Sequence, residues 1–117
     1  MTKRSPITTH VLDTALGQPA AGVPVRLFVE ASSGEWTQLS AGTTNADGRV
    51  ADLLPSDHDL QPGRYRMHFN TEAYFSAVKI AGFYPYADIV FEIRDTSAHY
   101  HIPLLLSPYG YSTYRGS

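Results

Sequence analysis

The chain has 117 residues, 43% of them hydrophobic and 17% charged, with a formal charge of −2 and no cysteine. That is enough apolar content for one domain over residues 1–117 with its own core, and the charge gives no basic patch for nucleic acid or an anionic membrane. Without cysteine there is no disulfide framework, thiol nucleophile or thiolate metal site. No run approaches the roughly 20 apolar residues of a membrane helix. The start, Met1 to Pro6, carries two basic residues with no apolar run behind them, so a secretory signal is not expected and a cytoplasmic location is.

Apolar residues recur with period two, the signature of strands. The first predicted strand, Ile7 to Asp13, sets Ile7, Thr9 and Val11 on one face against Thr8, His10 and Leu12 on the other. After the turn cluster Gly17-Gln18-Pro19 comes Val23 to Glu30, whose odd positions are all aliphatic while Arg26 and Glu30 stand among the even ones. Strands over Glu35 to Ala41 and Gly48 to Leu53 flank the turn Thr44-Asn45-Ala46-Asp47-Gly48. A single helix is expected either between Pro55 and Gly63 or over Thr71 to Ala81, where Glu72, Ala73, Phe75, Ala77 and Lys79 are acceptable helix formers. Tyr65 to Phe69 alternates after Gln61-Pro62-Gly63, and Ile89 to Ile93 follows another proline-containing turn.

The last predicted strand, Ala98 to Leu106, places Tyr100, Ile102, Leu104 and Leu106 on a core face and His99, His101, Pro103 and Leu105 on the other. A proline and a leucine beside two outward histidines suggest a face covered by another subunit. Seven or more short strands at this spacing argue for an all-β sandwich.

Taken singly, His10 and Arg49 read as surface residues, although Asn45-Ala46-Asp47-Gly48 would hold Arg49 rigidly at the head of a strand. His58 and His68 fall in polar surroundings and also read as surface groups. The pair His99-x-His101 has more promise. Two imidazoles so spaced can ligate one metal ion, with His10 as the third nitrogen of a zinc set, but the spacing is common by chance and no carboxylate is placed nearby in sequence to orient the rings. Acid–base chemistry without metal is the alternative, since imidazole both takes and gives a proton near neutrality. With no Gly-x-Ser-x-Gly elbow and no cysteine, activated water is the expected nucleophile. No glycine-rich loop precedes a helix to cradle phosphate. The end of the chain is unusual: it runs from Leu104-Leu105-Leu106 through Tyr109, Tyr111, Tyr114 and Arg115 to Ser117, where polar, frayed residues are the rule. On their own, the tyrosines read as packing of an edge segment.

These readings gain a frame from a resemblance that covers nearly the whole chain. The stretches Thr9-His10-Val11-Leu12-Asp13-Thr14, Gly17-Gln18-Pro19-Ala20-Ala21-Gly22-Val23, Thr44-Asn45-Ala46-Asp47-Gly48-Arg49, Phe83-Tyr84-Pro85, His99 to Pro108, and Tyr114-Arg115-Gly116-Ser117 resemble the transthyretin-related proteins that act as 5-hydroxyisourate hydrolases. The resemblance implies a transthyretin-like sandwich of two four-stranded antiparallel sheets with one short helix. It further implies a homotetramer, a dimer of dimers joined through edge strands, with sites in the channel between dimers. The implied reaction is hydrolysis of 5-hydroxyisourate to 2-oxo-4-hydroxy-4-carboxy-5-ureidoimidazoline in urate degradation. His10, Arg49 and His101 would be catalytic, Tyr114 and Ser117 would bind substrate, and neither metal nor another cofactor would be needed. Arg115 would form an ion pair at the subunit interface, and Gly116 would permit the last turn. The hormone carrier transthyretin shares the Leu-Ser-Pro-Tyr and Tyr-Ser-Thr stretches, but it carries other residue types at the positions matching His10, Arg49 and His101.

Overall fold

The computed structural model describes residues 5–117; the basic Lys3-Arg4 start, read above as no secretory signal, lies outside them. Among the described residues, nine strands and one helix follow in the order β1 (Ile7–Asp13), β2 (Gln18–Pro19), β3 (Pro24–Glu30), β4 (Trp36–Thr43), β5 (Arg49–Val50), β6 (Gly63–Phe69), α1 (Thr71–Ala77), β7 (Ala87–Ile93), β8 (Tyr100–Ser107) and β9 (Gly110–Thr113). They form two sheets. One runs β4-β3-β6-β7, antiparallel throughout. The other runs β2-β1-β8-β9, with β5 also pairing with β1.

The expected two-sheet sandwich is present, with two differences. The second sheet has five strands rather than four, because the turn cluster Gly17-Gln18-Pro19 continues into a two-residue strand on β1. In addition, β1 and β8 run parallel, so this sheet is mixed. The whole four-stranded sheet and the helix intervene in sequence between these two strands, which removes the hairpin constraint and permits parallel pairing. Their register aligns Thr8 with His101 and His10 with Pro103.

Burial along β1 alternates residue by residue: Ile7, Thr9, Val11 and Asp13 are buried, while Thr8, His10 and Leu12 are only half-buried. In β8 the core side chains are Tyr100, Ile102, Leu104 and Leu106, as the alternation predicted, although Pro103, expected on the outward face, is buried as well. They meet Val25, Leu27, Met67 and Phe69 from the opposite sheet in one continuous core. Each such side chain contributes about 1.5–3 kcal/mol relative to exposure. The expected strand over Gly48 to Leu53 shrinks to Arg49–Val50, since Leu53 and Leu54 are drawn into the core on a turn and cannot continue the ladder.

The helix takes the second of its two expected positions. Asn70 caps it, its side-chain oxygen accepting from the Ala73 amide at 3.0 Å. Thr71, Tyr74 and Phe75 give it one buried face at helical spacing. It ends at Ala77, short of Ala81, because Lys79 turns to φ 60°. The Pro55 to Gly63 segment lacks an apolar period and remains turns. The helix is tied to β1 by Tyr74, whose hydroxyl donates to the buried Asp13 carboxylate at 2.7 Å. Asp13 also accepts from the amides of Ala15 and Leu16, each at 3.0 Å.

Candidate active site

The outward faces of β5, β1 and β8 form one polar surface, because residues directly paired across strands share a face. Arg49 stands opposite His10 in the β1–β5 register. The turn before it is fully committed: the Asn45 side-chain oxygen accepts from the amides of Asp47 at 2.9 Å and Arg49 at 3.1 Å. Gly48 has φ +76°, and a Cβ there would stand 2.4 Å from the Val11 carbonyl oxygen. Only glycine lets the turn approach β1 this closely, and the Gly48 carbonyl accepts from the Val11 amide at 2.7 Å. The sequence Asn45-Ala46-Asp47-Gly48 thus aims Arg49 along the strand that carries His10.

A cavity of ≈ 260 Å³ opens beside this pair, lined by Thr8, Thr9, Arg49, Val50, Ala51, His99, His101 and Ser117. His10 stands two positions along β1 from Thr8, on the same outward face and opposite Arg49. Within the cavity, the Thr8 hydroxyl lies 2.9 Å from His99 Nε2 and 2.8 Å from His101 Nδ1. The other flank of the His101 ring is closed by the chain's last residues. The Gly116 amide donates to the His101 carbonyl at 2.8 Å in an isolated antiparallel bridge. A Cβ on Gly116 would meet His101 Cδ2 at 2.5 Å. Ser117 follows directly and lines the cavity. The segment is therefore docked on β8.

The expected site residues divide accordingly. Arg49, His101 and Ser117 share the cavity, and His10 adjoins it. Tyr114 is placed elsewhere. It is 58% exposed and lines a second cavity of ≈ 250 Å³ with Ile89, Val90, Phe91 and Arg115 among others. The reason is the path of the backbone: β9 ends at Thr113, Tyr114 and Arg115 lie outside the ladder, and Gly116 rejoins β8. Within the protomer, Arg115 sets its guanidinium 4.5 Å from the centre of the Tyr100 ring, a cation–π contact. Among the described residues, no group of three or more His, Cys, Asp and Glu is arranged to hold a metal ion. No helix among them is long and apolar enough to cross a membrane. His68 is on the other sheet, its Nδ1 2.7 Å from Asp88 Oδ1.

Sequence reasoning missed Thr8. Its only signal was parity with His10, and its meaning depends on the parallel register with His101.

The family model of the HIUase/Transthyretin family matches residues 7–116. The chain belongs to this family. It is 47% identical over 117 residues to the 5-hydroxyisourate hydrolase of Mus musculus, covering 99% of this chain and 98% of the mouse protein. Among solved structures, the Klebsiella pneumoniae 5-hydroxyisourate hydrolase superposes with a TM-score of 0.82 at 38% identity, covering 95% of this chain and 98% of that one. Sea bream transthyretin in complex with thyroxine superposes with a TM-score of 0.90 at 32% identity, covering 96% and 95%. Backbone likeness thus extends across the family to both hydrolase and hormone-binding members, and the distinction between them has to come from side chains.

Proposed function

We propose that this protein hydrolyses 5-hydroxyisourate to 2-oxo-4-hydroxy-4-carboxy-5-ureidoimidazoline in urate degradation. The observation that carries this reading is the juxtaposition of Arg49, His101 and Ser117 around one small cavity, with His10 paired to Arg49. Ring opening at an amide-type bond needs a base for water, a donor for the developing oxyanion and an acid for the leaving nitrogen. One imidazole of the His10 and His101 pair takes a proton as water adds to the ring carbonyl. The C–N bond then breaks and the other imidazole protonates the nitrogen, so proton uptake and release balance. Arg49 offers a planar fork of donors to the carbonyl oxygen as it gains charge. The Ser117 hydroxyl contacts the substrate at the cavity wall. No cofactor enters this sequence of steps. Tyr114, which lines a second cavity in the protomer, contacts the substrate across the assembled interface in this reading.

The same reading includes a single domain over residues 1–117 and a homotetramer built as a dimer of dimers, with sites at the interface between dimers. Two features support the assembly. Strands β7 and β9 each end a sheet with no partner beyond them among the described residues, and such edges invite pairing. Val90, Tyr111 and Tyr114 stand exposed there or close by.

The reaction is tested by following the ultraviolet absorbance of freshly generated 5-hydroxyisourate. Decay much faster than the spontaneous rate supports the assignment, and an unchanged rate with folded, assembled protein overturns it.

A further inference from the structure

Thr8 holds one hydroxyl between two imidazole nitrogens, 2.9 Å from His99 Nε2 and 2.8 Å from His101 Nδ1. A hydroxyl has one proton, so it can donate to only one of the two rings and must accept from the other. The two rings are thereby linked: when Thr8 donates to His101 Nδ1, His99 must present Nε2–H to Thr8, and when His101 presents Nδ1–H, Thr8 donates to His99 Nε2. Only the second arrangement leaves the neutral His101 with an unprotonated Nε2, the form that accepts a proton from water. The contacts join two separate pieces of chain, Thr8 on one and His99 and His101 on the other, brought together by the parallel register of β1 and β8. The His101 ring is fixed further by the close approach of Gly116.

We propose that Thr8 is a positioning residue that sets the tautomer of His101 through His99, and that the three groups form a proton relay. The inference rests on the hydrolase reading of the same cavity. When His101 Nε2 takes a proton from the attacking water, its Nδ1 proton passes to Thr8 Oγ1, and the Thr8 proton passes to His99 Nε2. One proton enters at His101 and one arrives at His99, with Thr8 unchanged. The positive charge moves from the His101 ring to the His99 ring, and the reverse transfer returns the proton to His101 when the site resets after the other imidazole of the catalytic pair has protonated the leaving nitrogen. The scale of such tautomer control is known from serine proteases, where disabling the carboxylate that sets the histidine tautomer costs about 10⁴ in kcat.

The test uses the full-length protein with Thr8→Val, which keeps the shape and removes the hydroxyl, Thr8→Ser, which keeps the hydroxyl, and His99→Gln. The expected result is a fall in kcat of about tenfold or more in Thr8→Val with KM nearly unchanged, and recovery of most of that loss in Thr8→Ser. His99→Gln shows a comparable loss, and the double variant Thr8→Val/His99→Gln is no worse than either single one. Imidazole ¹⁵N shifts give a readout independent of turnover, with the His101 tautomer changed in Thr8→Val. An active wild type whose kcat and His101 shifts are unaltered by Thr8→Val overturns the relay. A Thr8→Ser as impaired as Thr8→Val also overturns it. A wild type without turnover, whose His101 shifts still respond to Thr8→Val, overturns the hydrolase reading and leaves the tautomer coupling standing.

Discussion

Around His101, individual atoms decide what the site can do. The ring is held by Thr8 at Nδ1 and by the absence of a side chain at Gly116. Gly116→Ala would place a methyl 2.5 Å from Cδ2, so the imidazole must rotate or the closing segment must lift away. We expect this variant to fold normally and to lose about tenfold or more in kcat, because a small misplacement of a reacting group is costly; steady-state kinetics beside a thermal melt would check it. Arg49→Gln removes the charged fork while keeping a polar side chain of similar reach. By analogy with loss of one oxyanion donor, its kcat should fall about 10²–10³-fold, a comparison that needs only the same absorbance assay. His10 and Arg49 were not legible as site residues from their own surroundings, where each read as an ordinary surface group. Only the family's motif assigned them roles, and only the β1–β5 register sets them opposite each other. Thr8 was invisible for a similar reason, since a threonine in a strand has no meaning until its cross-strand neighbours are known.

Element by element, period-two alternation was a dependable guide wherever a strand had one buried face. It placed β1, β3 and β8 and put His99 and His101 outside the core. It failed for β9, whose Gly-Tyr-Ser-Thr sequence is mostly exposed and pairs through its backbone. It also could not show strand direction, so the parallel pairing of β1 and β8 was unreadable. The helix was legible as one of two sites, and Asn70 as cap with buried Thr71, Tyr74 and Phe75 separates them. That helix is fastened to β1 through Tyr74 and Asp13. Burial pushes the Tyr74 hydroxyl well above its ordinary pKa of 10.0, and the hydrogen bond to Asp13 and its negative charge push it in the same direction. Burial raises Tyr65 too, partly offset by its bond to the Gln61 carbonyl. A pKa raised on folding means that the stabilisation is present in full below about pH 10 and declines as pH rises beyond it. Urea titrations from pH 8 to 11 should therefore show stability falling above pH 10. Tyr74→Phe should fall less steeply there, while starting about 1–3 kcal/mol lower at pH 8 because buried Asp13 loses a donor.

For the whole molecule, the sandwich alone does not choose between enzyme and carrier, since a thyroxine complex of a transthyretin superposes at least as well as a hydrolase does. The polar outward face does. Arg49, His99 and His101 make a lining that suits a small, polar, planar ring better than a large apolar hormone. The proposed tetramer would use the β7 and β9 edges, which each end a sheet. Light scattering behind size exclusion should return four times the 12.9 kDa chain mass; a monomer at micromolar concentration would contradict the tetramer.

In the proposed reading, the His101 cavity hydrolyses 5-hydroxyisourate. The most direct measurement is the absorbance decay of the freshly made compound with wild type and with His101→Ala, matched for fold and assembly. Rapid decay with wild type and a variant reduced by about 10² or more, toward the spontaneous rate, is the predicted result. Equal rates in the two proteins would contradict it.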